Sequence, residues 1–184
     1  MSRFKSSKRQ VAVAFGAAFV LIGIAWGLPK IAHKHRDITI ARRVDRYRNL
    51  IWYYAAENNL PVQLVRAVIR AESGGRPKVE SSKHAKGLMQ ITDAAQKDVL
   101  RIRKLPEDDL FDPEYNIEIG TAYLRLLVNR FDGDYYLAVA AYHMGPTRVG
   151  RLRQTHPNLT SKQLLEAHAN PVTLQYCRTV FSTP

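Results

Sequence analysis

From residue 37 onward, apolar residues recur at three- and four-residue steps, the spacing that places them on one face of a helix. Val44, Tyr47, Ile51, Tyr54 and Ala55 mark the first such run, and Asn58-Asn59 interrupts it. Segment 61–75 predicts a second helix, because Pro61 suits a first turn and Gly74-Gly75 suits a stop. At about 100° per residue, Gln63, Arg66 and Arg70 share a polar stripe opposite Val65, Val68 and Ile69. A polar loop comes next over 78–86, then a short apolar turn over 87–92, a surface helix over 93–103 and an acidic loop over 105–111. Asp112 before Pro113 reads as an N-cap with proline at the first helical position. The long helix it opens is buried, marked by Ile117, Gly120, Leu124, Leu127, Val128 and Phe131. Asp132-Gly133-Asp134 predicts a turn, and the next helix, 135–143, stops at Met144-Gly145-Pro146. Two short helices, around 164–168 and 172–181, finish the chain. No alternating strand pattern or internal repeat stands out, so the predicted class is all-α.

Composition changes this picture at the N-terminus. The 184 residues suffice for one domain with an appendage, and about half are apolar. The single cysteine, Cys177, forms no internal disulfide and reads as a small core residue. The net charge of +12 is concentrated early: residues 1–48 hold eleven Lys/Arg against Asp37 and Asp45, or +9, leaving +3 for 49–184. A nucleic-acid-binding domain carries its charge on the folded part, so that partner is not expected. Residues 1–10 form a basic tail and 11–28 an uncharged run, with a basic linker over 29–43 and the folded domain over 44–184. The run is near the lower limit for a membrane-spanning helix. It also resembles a signal peptide, with Gly23-Ile24-Ala25 offering small residues for cleavage. Its length favours a retained single-pass anchor. The basic flank after the run opposes an outward-facing domain by the positive-inside tendency, a bias that large domains override.

Chemistry enters at Glu72. It falls in line with Val65, Val68 and Ile69, on the apolar side of its helix and at the negative end of the helix dipole. Desolvation and the dipole both favour the protonated carboxyl, the state a general acid needs near neutral pH. A frayed last turn would instead release Glu72 into water. This helix alone leaves both readings open.

Several short motifs succeed one another in order: Glu72-Ser73-Gly74, Ser81, Gly87-Leu88-Met89-Gln90, Asn116-Ile117, Gly120-Thr121-Ala122-Tyr123-Leu124, and Ala140-Ala141-Tyr142-His143-Met144-Gly145-Pro146. Each is weak alone, but their order and spacing resemble the soluble-lytic-transglycosylase (SLT) catalytic domain, a relative of goose-type lysozyme. The resemblance covers about 47–180. It implies a lysozyme-like fold that cleaves the β-1,4 bond between N-acetylmuramic acid and N-acetylglucosamine in peptidoglycan. Glu72 corresponds to the single catalytic acid/base, closing a 1,6-anhydro ring on the product. Ser73, Ser81, Met89, Gln90, Tyr123, Tyr142, His143 and Tyr176 correspond to substrate-binding positions. No cofactor is implied, and no metal-ligand spacing joins the six histidines. Expected partners are glycan strands, the membrane through the N-terminal run and its basic flank, and an envelope-spanning machine. The location implied is the inner membrane, with the domain on the periplasmic or wall side.

Three positions depart from the family's pattern. His143 stands where asparagine is usual, Val172-Thr173 where Glu-Thr is usual, and Asp93 where proline is common. Two alternatives remain: a muramidase that admits water, and an inactive glycan-binding scaffold. Ser73 has no nucleophile-elbow pattern around it and signals no serine hydrolase.

Overall fold

The structure is a computed structural model that describes residues 35–182. Residues 35–40 are helical and fall outside the compact domain, which begins at Ala41. The elements of that domain are all helices among the described residues: α1 (41–45), α2 (Arg48–Glu57), α3 (Val62–Glu72), α4 (Asp93–Arg103), α5 (Pro113–Arg130), α6 (Tyr135–Met144), α7 (Pro146–Thr155), α8 (Ser161–His168) and α9 (Pro171–Phe181). The uncharged run 11–28 lies outside the described residues. No described helix is long and apolar enough to cross a membrane.

The core is built on α5 and α6. In α6 five consecutive residues, Leu137 to Ala141, are buried, so this helix is apolar all round and is covered by α5, α7 and α9. The long α5 opens with the Asp112 side chain accepting from Tyr115 N–H, as its N-cap position predicts. Beside them, α3 buries Leu64, Val65, Ala67, Val68 and Ile69, its apolar stripe, by packing on α2 and α9. Asn58 ends α2 and ties it to α5 by donating to Thr121 Oγ1 at 3.1 Å, while Asn59 takes a left-handed turn (φ 49°) into Leu60.

The pattern predicts no helix at 146–155, yet α7 occupies that segment. Proline that stops α6 sits at the first turn of α7, where its missing N–H costs nothing. Within α7 only Val149 is buried, so no apolar stripe betrayed it. Cys177 is buried, and desolvation pushes its thiol up to about 11, in keeping with a core residue rather than a nucleophile.

Candidate active site

The end of α3 places Glu72 where α6 and α9 converge. Its helix does not fray: Ser73 N–H donates to Ile69 O at 3.1 Å, and Ser73 Oγ accepts from Gly75 N–H at 3.1 Å. The chain then reverses through Gly74 and Gly75, both at positive φ. At Gly75 a Cβ would lie 2.8 Å from Arg43 Cβ, so the close approach of α1 requires glycine. The Glu72 side chain is thereby held half-buried beside Tyr142 and Tyr176. Burial raises its pKa from 4.5 to about 7, opposed by the Tyr176 hydroxyl, which favours the carboxylate. No second carboxylate contributes to that value.

Two tyrosines face this carboxyl from different helices. Tyr142 on α6 donates its hydroxyl to Met89 O at 2.8 Å, and its ring lies 5.6 Å from that of Tyr123 on α5. Tyr176 on α9 is buried, and its hydroxyl completes no hydrogen bond within 3.5 Å. It nevertheless sits near enough to Glu72 for each group to alter the other's proton affinity. Burial and the neighbouring Glu72 charge push both phenols well above their ordinary range. They therefore remain neutral hydroxyls at any pH at which Glu72 titrates.

The loop 79–91 closes the site from the other side. Isolated bridges pair Glu80 with Lys86 and Lys86 with Ile91. Asn116 on α5, fully buried, clamps this loop with two bonds, accepting from Met89 N–H at 2.7 Å and donating to Lys86 O at 2.9 Å, and donates a third to Leu110 O at 2.7 Å. Gly87, at φ 77°, allows the approach, since a Cβ there would lie 2.7 Å from Asn116 Cγ. Gly120 makes room in the same way for Met89, whose Cβ would be 2.8 Å from an added methyl. The Met89 carbonyl is thus fixed as the acceptor for Tyr142.

The structure divides the sequence-derived residues into two groups. Glu72, Tyr123, Tyr142, His143 and Tyr176 come together. Met89 is fully buried and reaches the site only through its carbonyl, so it supports the site rather than lining it. Ser73 is buried with its hydroxyl spent on the α3 terminus, which removes it as a surface contact for a ligand. Gln90, in a left-handed conformation, donates to Val79 O and Gly87 O at 3.0 Å each and braces the loop. Ser81 Oγ accepts from Ala85 N–H at 3.1 Å and Lys83 N–H at 3.3 Å, shaping the loop tip.

His143 shares a 3.0 Å hydrogen bond between its Nδ1 and Thr173 Oγ1, and its ring stacks on Tyr176 at 4.6 Å. Desolvation and the nearby Lys83 charge lower its pKa, which favours the neutral imidazole. Thr173 is buried while Val172 is 68 % exposed, so the residue standing in place of the family's glutamate faces outward. Sequence reasoning assigned no role to Asn116 or Thr173. Both are buried polar residues, and only their partners reveal what they hold.

A surface cavity of about 480 Å³ near Arg130, Phe131, Asp134 and Arg153 contains none of these groups. Two of its polar side chains are engaged within the fold, Arg153 with Leu159 O and Ser161 Oγ, and Asp134 with Leu137 N–H.

Comparison with known proteins agrees with the order of motifs. Residues 49–165 match the family described as Transglycosylase SLT domain. The chain belongs to the SLT transglycosylase family. The soluble lytic murein transglycosylase of Escherichia coli K12 is 36% identical over 107 residues, which span 56% of this chain and 17% of that protein. The membrane-bound lytic murein transglycosylase C of Yersinia pestis is 32% identical over 129 residues, spanning 64% of this chain and 36% of that protein. Among solved structures, the 70 kDa soluble lytic transglycosylase of E. coli superposes with a TM-score of 0.70 at 30% identity, over 74% of this chain and 23% of that one. An inactive mutant of the Pseudomonas aeruginosa lytic transglycosylase Slt gives 0.70 at 29% identity, with the same coverage. The all-α, lysozyme-like SLT fold is thus shared with proteins several times longer.

Proposed function

We propose that this chain is a membrane-anchored peptidoglycan lytic transglycosylase that uses Glu72 as its single acid/base. The observation that carries the reading is the Glu72 carboxyl itself, half-buried, facing two neutral tyrosines, and holding its proton until about pH 7. As acid, Glu72 gives that proton to the bridging oxygen between N-acetylmuramic acid and N-acetylglucosamine, and the bond breaks towards an oxocarbenium-like state. The sugar's own acetamido group assists in place of a nucleophilic carboxylate. The resulting carboxylate removes a proton from the muramic acid 6-hydroxyl, which closes on C1 to give the 1,6-anhydro product. Glu72 is then protonated again, and no water has been consumed.

The other residues fit supporting roles. Tyr176 stabilises the carboxylate formed in the first step, because its hydroxyl has no competing partner. Tyr123 presents a half-buried ring suited to a sugar face. Ser81 uses its oxygen as an acceptor towards the loop, leaving its proton for the acetamido region. Residues 1–10, 11–28 and 29–43 serve as tail, single-pass inner-membrane anchor and basic linker, holding the 44–184 domain on the wall side beside an envelope-spanning machine. The relatives' names, which include both soluble and membrane-bound murein transglycosylases, are compatible with this placement.

Digestion of purified peptidoglycan followed by mass analysis of the muropeptides tests the reaction. The expected products are 1,6-anhydro ends, lighter than hydrolytic ends by one water, and Glu72→Gln abolishes them. Reducing ends alone would establish a muramidase. No release by the unaltered chain would establish a glycan-binding scaffold.

A further inference from the structure

One face of α2 is unlike the rest of the surface. Trp52 is 64 % exposed and Tyr53 is 53 % exposed, among the largest apolar groups left in solvent, and the exposed Asn49 and Ala56 lie beside them on the same side of the helix, with Glu57 the one acid of that side, at its far C-terminal end. Arg48 is exposed one turn before Trp52, and Arg42 and Arg46 are exposed in the stretch leading into α2. The acid in that stretch, Asp45, is held by Arg66 at 2.5 Å, so the N-terminal end of the face is strongly basic. The opposite side of α2, Ile51 and Ala55, is buried, which fixes the orientation of the exposed side.

Trp and Tyr beside arginines on a convex helix surface are the composition of a bilayer interface. Aromatic rings settle at headgroup depth, and guanidinium groups pair with lipid phosphates. An uncharged sugar would leave the arginines without counterparts, and a helix face offers no concave groove to hold a glycan. In sequence, the uncharged run ends at residue 28 and α2 begins at Arg48, so a chain anchored by that run keeps α2 within a short tether of the bilayer. We infer that the exposed face of α2 rests on an anionic lipid surface, with Trp52 and Tyr53 at headgroup depth and Arg42, Arg46 and Arg48 on the phosphates. This extends the anchored reading to the folded domain itself: the domain lies down on the membrane instead of swinging freely from its linker.

The full chain carries two tryptophans, Trp26 and Trp52, so Trp26→Phe leaves Trp52 as the only tryptophan reporter. Vesicles of phosphatidylcholine alone and of phosphatidylcholine with phosphatidylglycerol are the probes. Flotation reports association, and quenching of Trp52 by brominated lipid or by aqueous iodide reports its depth. On anionic vesicles, Trp52 emission should shift to the blue and be quenched by the brominated lipid. With Arg46→Glu and Arg48→Glu together, the chain should still float, but the docked state should weaken by at least about thirtyfold, in line with the loss of two basic contacts, and lipid quenching of Trp52 should be largely lost. Muropeptide release from isolated peptidoglycan should be unchanged in that variant. Trp52 open to iodide on floating vesicles overturns the inference while leaving the anchor intact. Equal burial on neutral and anionic vesicles overturns the choice of an anionic surface. Failure to float removes both the anchor and the lipid-facing α2. None of these readouts depends on whether Glu72 is catalytic.

Discussion

Replacing Glu72 by glutamine should stabilise the protein at alkaline pH and leave its stability nearly unchanged in acid. The folded state raises the Glu72 pKa from 4.5 to about 7. Native protein therefore binds this proton more tightly than unfolded chain does. Below pH 4.5 both states hold the proton and the group imposes no pH-dependent cost. Between pH 4.5 and 7 the unfolded chain ionises while the folded carboxyl resists, so stability falls as pH rises. Above about pH 7 both are ionised and the full cost of a desolvated carboxylate remains. At 1.36 kcal/mol for each tenfold change in proton affinity, that cost is about 3 kcal/mol. Glutamine has similar shape and never ionises, so it removes the cost. Urea denaturation of both proteins at pH 4 and pH 8.5 checks this. The stability difference should be near zero at the lower pH and about 3 kcal/mol in favour of Glu72→Gln at the higher. A difference independent of pH, or one favouring the native residue at pH 8.5, would show that Glu72 points into bulk water and would undo the case for a general acid. In the same variant, activity should fall by at least about a hundredfold, as expected for loss of general acid catalysis.

Asn116→Ala should cost about 3 kcal/mol, because it strands the Met89 N–H and the Leu110 carbonyl in a buried site, while Lys86 O keeps its bond from Ile91 N–H; thermal denaturation measures this, and a loss under about 1 kcal/mol would contradict the clamp. Gly120→Ala should destabilise by about 1–3 kcal/mol by overpacking against Met89, and should lower activity beyond its effect on stability by displacing the Tyr142 acceptor; activity assayed well below the melting temperature separates the two effects. Tyr176→Phe removes the one hydroxyl that lowers the Glu72 pKa, so the alkaline limb of the pH–rate profile should move to higher pH. At pH 4, where Glu72 holds its proton, the same variant should be no less stable than the original, since that hydroxyl completes no hydrogen bond in the fold.

The stripe of Val65, Val68 and Ile69 determined α3, and Asp112-Pro113 determined where α5 starts, because helical periodicity and capping are local and each is written in a few neighbouring residues. The same stripe placed Glu72 on the dry side of its helix. Family motifs then pointed to Tyr123, Tyr142 and Tyr176, although no spacing along the chain requires residues on α3, α5, α6 and α9 to meet. Tertiary packing decided which of those residues face a ligand and which brace the site. Met89 and Ser73 turned inward, since one fills the space that Gly120 leaves and the other satisfies the end of α3. It also gave Asn116 its three loop contacts and His143 its place between Thr173 and Tyr176. A hydrogen bond across tens of residues depends on where two backbones come to rest, and nothing in the neighbouring sequence encodes that distance. The segment 146–155 shows the complementary limit: with Val149 its one buried residue, α7 is held by its place beside α6, and a helix stabilised that way leaves almost no periodic trace.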